Sequence, residues 1–131
     1  MNREKLLDLY KKYDLQKEDV YKHQHYVIIT RQGIEKIQAK ENITITYEVI
    51  KCETNFAVFK ANAYLSAKPN TILETFGSAL KGANYKDGNC NSWYIAEMAE
   101  KRALSRAVLK LTGFYELGVF GEDESDDFKK K

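Results

Sequence analysis

A chain of 131 residues with 44% hydrophobic content, one proline (Pro69) and a net charge of only +2 can build its own core, which excludes a disordered or collagen-like polymer. It has no apolar run long enough to cross a bilayer, and its opening residues, MNREKLLDLYKKYD, lack the apolar centre of a signal peptide. A cytosolic protein without membrane attachment is therefore expected.

Residues 3 to 13 place Leu6, Leu7, Leu9, Tyr10 and Tyr13 near helical spacing, which predicts an amphipathic first helix. A second short helical segment is expected over LQKEDVYK, before a buried strand at Tyr26 to Thr30 (YVIIT). Thr30 then suits the cap of a helix through GIEKIQAKE, with Ile34 and Ile37 turned inward. From Ile43 the period becomes two: Ile43, Ile45, Tyr47 and Val49 share one side of a strand. A turn at Glu53-Thr54-Asn55 leads to a second strand, FAVFKANAYLS, and a turn at Lys68-Pro69-Asn70 leads to a third, from about Ile72 to Ala79. Residues 81 to 92, KGANYKDGNCNS, read as a loop, and a long helix is expected from near Ser92 to Gly113. The predicted fold is α+β: an N-terminal helix, a three- to four-stranded antiparallel meander and a long C-terminal helix packed on the sheet, together a β-β-β-α core. Residues 1 to 121 are expected to form one domain, and residues 122 to 131 an acidic tail without stable structure.

The long helix poses the functional question. Ala96, Ala99, Ala103, Leu104, Ala107, Val108 and Leu111 spread over one broad side that could approach a sheet closely. Arg102 and Arg106, four residues apart, point together, Lys110 lies between their stripe and the alanine side, and Lys101 sits at salt-bridge spacing from Glu97. Planar guanidinium groups suit phosphate, and the preceding loop adds Lys81, Lys86 and the aromatic Tyr85. Snorkelling arginines that cover apolar surface with their stems would produce the same pattern.

Catalytic signals are sparse. The chain lacks a phosphate-binding glycine loop, a G-x-S-x-G nucleophile elbow and an H-E-x-x-H zinc motif. Cys52 and Cys90 are isolated rather than paired, so neither a disulfide nor a zinc site with His23 and His25 is expected, and no cofactor is assigned. Convergence of Glu48, Glu74 and Glu97 on a divalent metal would make a nuclease the alternative from another class.

The strand with ETFGSA, followed by AEMAEKRALSRAVLKLTGFYELGVF, resembles the single-strand annealing proteins of homologous recombination, a family that includes a eukaryotic recombination mediator and phage relatives. The resemblance covers about residues 26 to 121. It implies a β-β-β-α core, oligomeric rings or filaments, and single-stranded DNA held in a basic groove without ATP. The family's basic helix positions would fall on Lys101, Arg102 and Arg106 or Lys110. The expected function is a single-stranded DNA-binding protein that promotes annealing or recombination, with an RNA-binding or protein-interaction module of the same fold as runner-up. Trp93 could stack on bases or lie in the core. In the tail, Asp126, Asp127 and Phe128 resemble the acidic, aromatic-tipped segments with which bacterial single-strand binding proteins recruit repair enzymes, so a repair or replication protein is an expected partner.

Overall fold

The computed structural model describes residues 3–23, 26–81 and 95–122. Helix α1 (Arg3–Lys12) is followed by a 3-10 turn (Lys17–Asp19) and the antiparallel strands β1 (Val20–His23) and β2 (Tyr26–Ile29). Next come α2 (Arg31–Glu41) and three long strands, β3 (Ile43–Cys52), β4 (Phe56–Leu65) and β5 (Leu73–Leu80). Helix α3 (Ile95–Thr112), a second 3-10 turn (Tyr115–Leu117) and β6 (Val119–Gly121) complete the described elements. The architecture is α+β, and no helix among the described residues is long and apolar enough to cross a membrane.

The strands form two sheets. β3, β4 and β5 make the expected antiparallel meander, with a bulge between Val49 and Lys51. The strand at residues 26 to 29 does not join it. It is the centre of a small mixed sheet, antiparallel to β1 and parallel to β6, in which Ile29 pairs with both Val20 and Gly121. Two expectations are thereby corrected. Residues 20 to 23 are extended rather than helical, because pairing with the β-branched run of β2 outweighs local preference. The residues after Gly113 add a strand where none was expected.

Local signals hold elsewhere. Thr30 Oγ1 accepts from the Gly33 N–H at 3.3 Å and caps α2, whose Ile34 and Ile37 are buried. Gly113, at φ 88°, follows the last residue of α3, as its freedom to adopt a left-handed backbone allows. Tyr13 donates to Glu41 Oε1 at 2.7 Å and so ties the end of α1 to the end of α2. Burial, reinforced by that carboxylate, raises the Tyr13 hydroxyl pKa, while the hydroxyl's hydrogen bond holds the Glu41 carboxyl below the usual range.

Helix α3 packs on the meander through small residues. Ala99, Ala103 and Ala107 are fully buried, and Ala57, Ala61, Ala63 and Ala79 of β4 and β5 are buried with them. Gly77 carries the closest approach: a β-carbon there would overlap the Ala99 carbonyl oxygen and the Ala103 amide nitrogen, and would lie 3.1 Å from the Ala103 α-carbon. Thr75 Oγ1 donates to the Ala103 carbonyl at 2.8 Å beside it. On another side, Ser105 meets Gly121 of β6, where a β-carbon would lie 2.7 Å from the serine Cβ. The helix therefore lies between the two sheets, and its buried surface exceeds the single alanine side expected: Ile95, Arg102, Ser105 and Leu109 are buried too. Val49, on the same side of β3 as the buried Ile43, is 61% exposed because α3 lies over β4 and β5 rather than over the far end of β3.

A buried carboxylate fixes the small sheet. Asp19 has no solvent exposure, its Oδ2 accepts from Lys36 Nζ at 2.7 Å and from the Gln16 N–H at 2.9 Å, and its carbonyl accepts from the Thr30 N–H. Burial alone would raise the Asp19 pKa, but the bonds from Lys36 and Gln16 outweigh it and the pKa is lowered. Such a group contributes stability above its unfolded pKa of about 4 and loses it as pH falls through the depressed folded value. Asp19→Asn should therefore cost about 1–3 kcal/mol at neutral pH, the range for an impaired buried hydrogen-bonded group. In urea titrations at a series of pH values, the gap between the native chain and the variant should close as pH drops below about 4. A gap independent of pH would place the cost elsewhere than in the charge.

Candidate nucleic-acid interface

As an outer strand of the meander, β5 directs alternate carbonyls away from β4, where no strand among the described residues receives them. Helix α3 meets two of these. Arg102 Nη1 donates to the Ser78 carbonyl at 2.7 Å, and Arg106 Nη1 donates to the Phe76 carbonyl at 2.7 Å. Two strand residues advance about 6.6 Å and one helical turn about 5.4 Å, so arginines four apart match carbonyls two apart when helix and strand run in opposite directions.

This geometry separates the cations that the sequence grouped. Arg102 is 1% exposed and is part of the packing. Its guanidinium is enclosed where it meets the strand edge, whereas the sequence reading set it among the cations facing phosphate. Arg106 is half-buried and retains solvent contact. Lys110, one turn further, is exposed, with its Nζ 5.2 Å from the centre of the Tyr115 ring. Lys81, whose N–H donates to the Asn55 carbonyl at 2.7 Å, lies just beyond the opposite end of β5. Lys81, Arg106 and Lys110 thus follow one border of the molecule in sequence along strand and helix, with Arg102 beneath it.

Lys101 departs from that border, since successive helical residues turn about 100°. It is half-buried, and no ion pair joins it to Glu97 among the described residues, which corrects the local salt bridge expected for it. Tyr85, Lys86 and Trp93, and Asp126, Asp127 and Phe128, lie outside the described residues, as do His25 and Cys90.

An aromatic run continues from the border. The Tyr115 ring stands 5.5 Å from Phe120 and Phe120 stands 5.5 Å from Tyr26, both at 76° between planes. All three residues are half-buried, so part of each remains open to solvent. Tyr26, Tyr115 and Phe120 were not picked out as site residues from the sequence. The aromatic density of FYELGVF was the available signal, but its meaning depends on β6 pairing beside β2.

The three glutamates do not converge. Glu48 and Glu74 lie on the face of the meander opposite α3, and Lys60 sits between them, 3.6 Å from Glu48 and in closer contact with Glu74. Asn62 Nδ2 donates to Glu48 at 2.9 Å, and this bond, with Lys60, holds the Glu48 carboxyl below the usual range. Glu97 belongs to α3, on the other side of the sheet. No group of His, Cys, Asp and Glu side chains that could hold a metal ion occurs among the described residues. Cys52 is free and exposed.

No protein-family model, curated protein or solved structure matches the chain.

The two ends of the cation stripe should separate in stability. Arg102→Met leaves the Ser78 carbonyl without this donor and should cost about 1–3 kcal/mol in urea unfolding. Lys110→Gln, which removes only a solvent-exposed contact with a ring, should cost no more than about 0.5–1 kcal/mol. Equal costs would contradict the assignment of Arg102 to structure and Lys110 to the surface.

Proposed function

We infer that the chain is a single-stranded DNA-binding protein that promotes strand annealing or recombination and has no catalytic chemistry of its own. The observation that carries this reading is the run Lys110, Tyr115, Phe120, Tyr26: a cation set against a ring, then three partly open rings, at the end of a cationic border. Aromatic side chains stack on bases of any sequence, while cations beside them neutralise the phosphates. Stacking requires bases free of a duplex, so the surface suits a single strand. Arg106 and Lys81 extend the path for the backbone along β5. The resemblance of ETFGSA and the following helix to annealing proteins supports the same reading.

Annealing also calls for several strands or several copies in proximity, and a homo-oligomer is part of the proposal. It is supported by the uncovered face of the meander, where Ile50, Phe76 and Leu80 are 54%, 50% and 37% exposed. That face also favours a protein-interaction module as the second reading. A metal-dependent nuclease has less support, because the Lys60 ammonium occupies the space between Glu48 and Glu74.

Binding of labelled oligonucleotides, measured across a salt series, tests the reading. Tyr115→Leu keeps an apolar side chain but removes the stacking ring, and should weaken single-strand binding about tenfold, as loss of one stacked base does, with the salt dependence retained. Lys110→Gln should reduce the slope of log affinity against log salt by about 0.7, the value for one phosphate contact on a single strand. Folded variants with native affinity and slope would remove this surface from the binding site. Parallel titrations with RNA and duplex DNA distinguish the RNA-binding alternative, and complementary strands added together without ATP read annealing directly.

A further inference from the structure

The meander has two outer strands, β3 and β5, and their free edges differ. Along β5, the Ser78 and Phe76 carbonyls already accept from Arg102 and Arg106. Along β3, Gln38 Nε2 donates to the Ile43 carbonyl at 3.4 Å, and the bulge between Val49 and Lys51 breaks the ladder at the other end. Between these limits, from Thr44 to Val49, no hydrogen bond among the described residues meets the outward backbone groups. The sequence of this open window, TITYEV, carries the β-branched and aromatic side chains that favour strand pairing, without the lysine or proline that blunts an edge. Val49, at its end, is 61% exposed.

We propose that β3 pairs antiparallel with β3 of a second copy about a two-fold axis at Tyr47, joining two meanders into one continuous sheet. The difference between the edges selects this occupant. Head-to-tail pairing of β3 on β5 would build rings or filaments, but it needs the carbonyls that Arg102 and Arg106 hold. Two copies of one open edge meet instead about a two-fold axis, which closes the pair. Side-chain direction then selects the register, because such pairing sets residues of the same face opposite each other. An axis at Glu48 would oppose two carboxylates. An axis at Thr46 would set Val49 against Ile43, where Gln38 already covers the edge. An axis at Tyr47 sets Ile45 against Val49 on the α3 side and Thr46 against Glu48 on the other, with the two half-buried Tyr47 side chains adjacent. The exposed Val49 is thereby covered. This inference gives the homo-oligomer of the reading above its interface and rests on that part of it, but not on DNA binding.

The test uses the full chain without nucleic acid. Light scattering across a dilution series should give twice the chain mass of 15.2 kDa at the concentrated end. Val49→Lys, which places a charge against Ile45 of the second copy, should weaken dimerisation about tenfold or more and leave the circular dichroism of the monomer unchanged. In a chain that also carries Cys52→Ser and Cys90→Ser, Tyr47→Cys should form an intermolecular disulfide under mild oxidation, since opposed α-carbons lie about 4.5–5.5 Å apart. Thr44→Cys, whose two copies would stand about 20 Å apart, should not. A chain that is monomeric at every concentration would overturn the proposal, and if it still binds single strands the DNA reading stands without this interface. A dimer that withstands Val49→Lys, or that cross-links through Thr44→Cys rather than Tyr47→Cys, would overturn it too, by assigning the contact to another surface or register.

Discussion

The approach of α3 to β5 is the contact on which the arrangement depends. Gly77 leaves no room for a side chain against Ala99 and Ala103, so the helix axis is held at a distance that a β-carbon would increase. Overpacking of this kind costs about 1–3 kcal/mol even where side chains can yield, and here the neighbouring atoms are backbone. Because the contact surface is dominated by alanines around one glycine, the helix can also accept the small sheet on another side, through Ser105 and Gly121. Larger side chains at these positions would push one sheet away.

That distance in turn brings the arginines within reach of the strand edge. An uncovered outer strand can pair with another chain, and Arg102 and Arg106 occupy carbonyls that such pairing would use. The same stripe then changes character along its length. Its first member is enclosed, its second is half-buried, and Lys110 reaches solvent where α3 gives way to Tyr115 and Phe120. Burial decides the roles: a cation committed to a carbonyl inside the fold serves architecture, while one at the surface can exchange water for phosphate at little structural cost.

Much of this was legible in the residues themselves. The alternation from Ile43 and the small residues of ETFGSA and AEMAEKRALSRAV specify a meander and a helix able to lie close to it. Thr30 and Gly113 mark helix boundaries through local chemistry, and both act as their side chain or its absence dictates. The small sheet was not legible, because β1 and β6 are short and gain their stability from β2, and residues 119 to 121 are distant from residues 27 to 29 in sequence. For the same reason the partnership of Tyr26 with Phe120 and Tyr115 could not be found by spacing. The burial of Arg102 was equally hidden: its i, i+4 relation to Arg106 is the same whether the pair faces solvent or a row of carbonyls, and only the position of β5 separates the two.

On the proposed reading, a single strand lies along the outer border of α3 and across the rings that follow it. Photocrosslinking with an oligonucleotide that carries 5-iodouracil, followed by peptide mapping, tests this most directly, since the halogenated base reacts with aromatic side chains on which it stacks. Adducts are expected on Tyr115, Phe120 or Tyr26, with yield that falls when unlabelled single strand is added and persists when duplex is added. Adducts confined to the exposed face of the meander, around Phe76, or to α1 would contradict it.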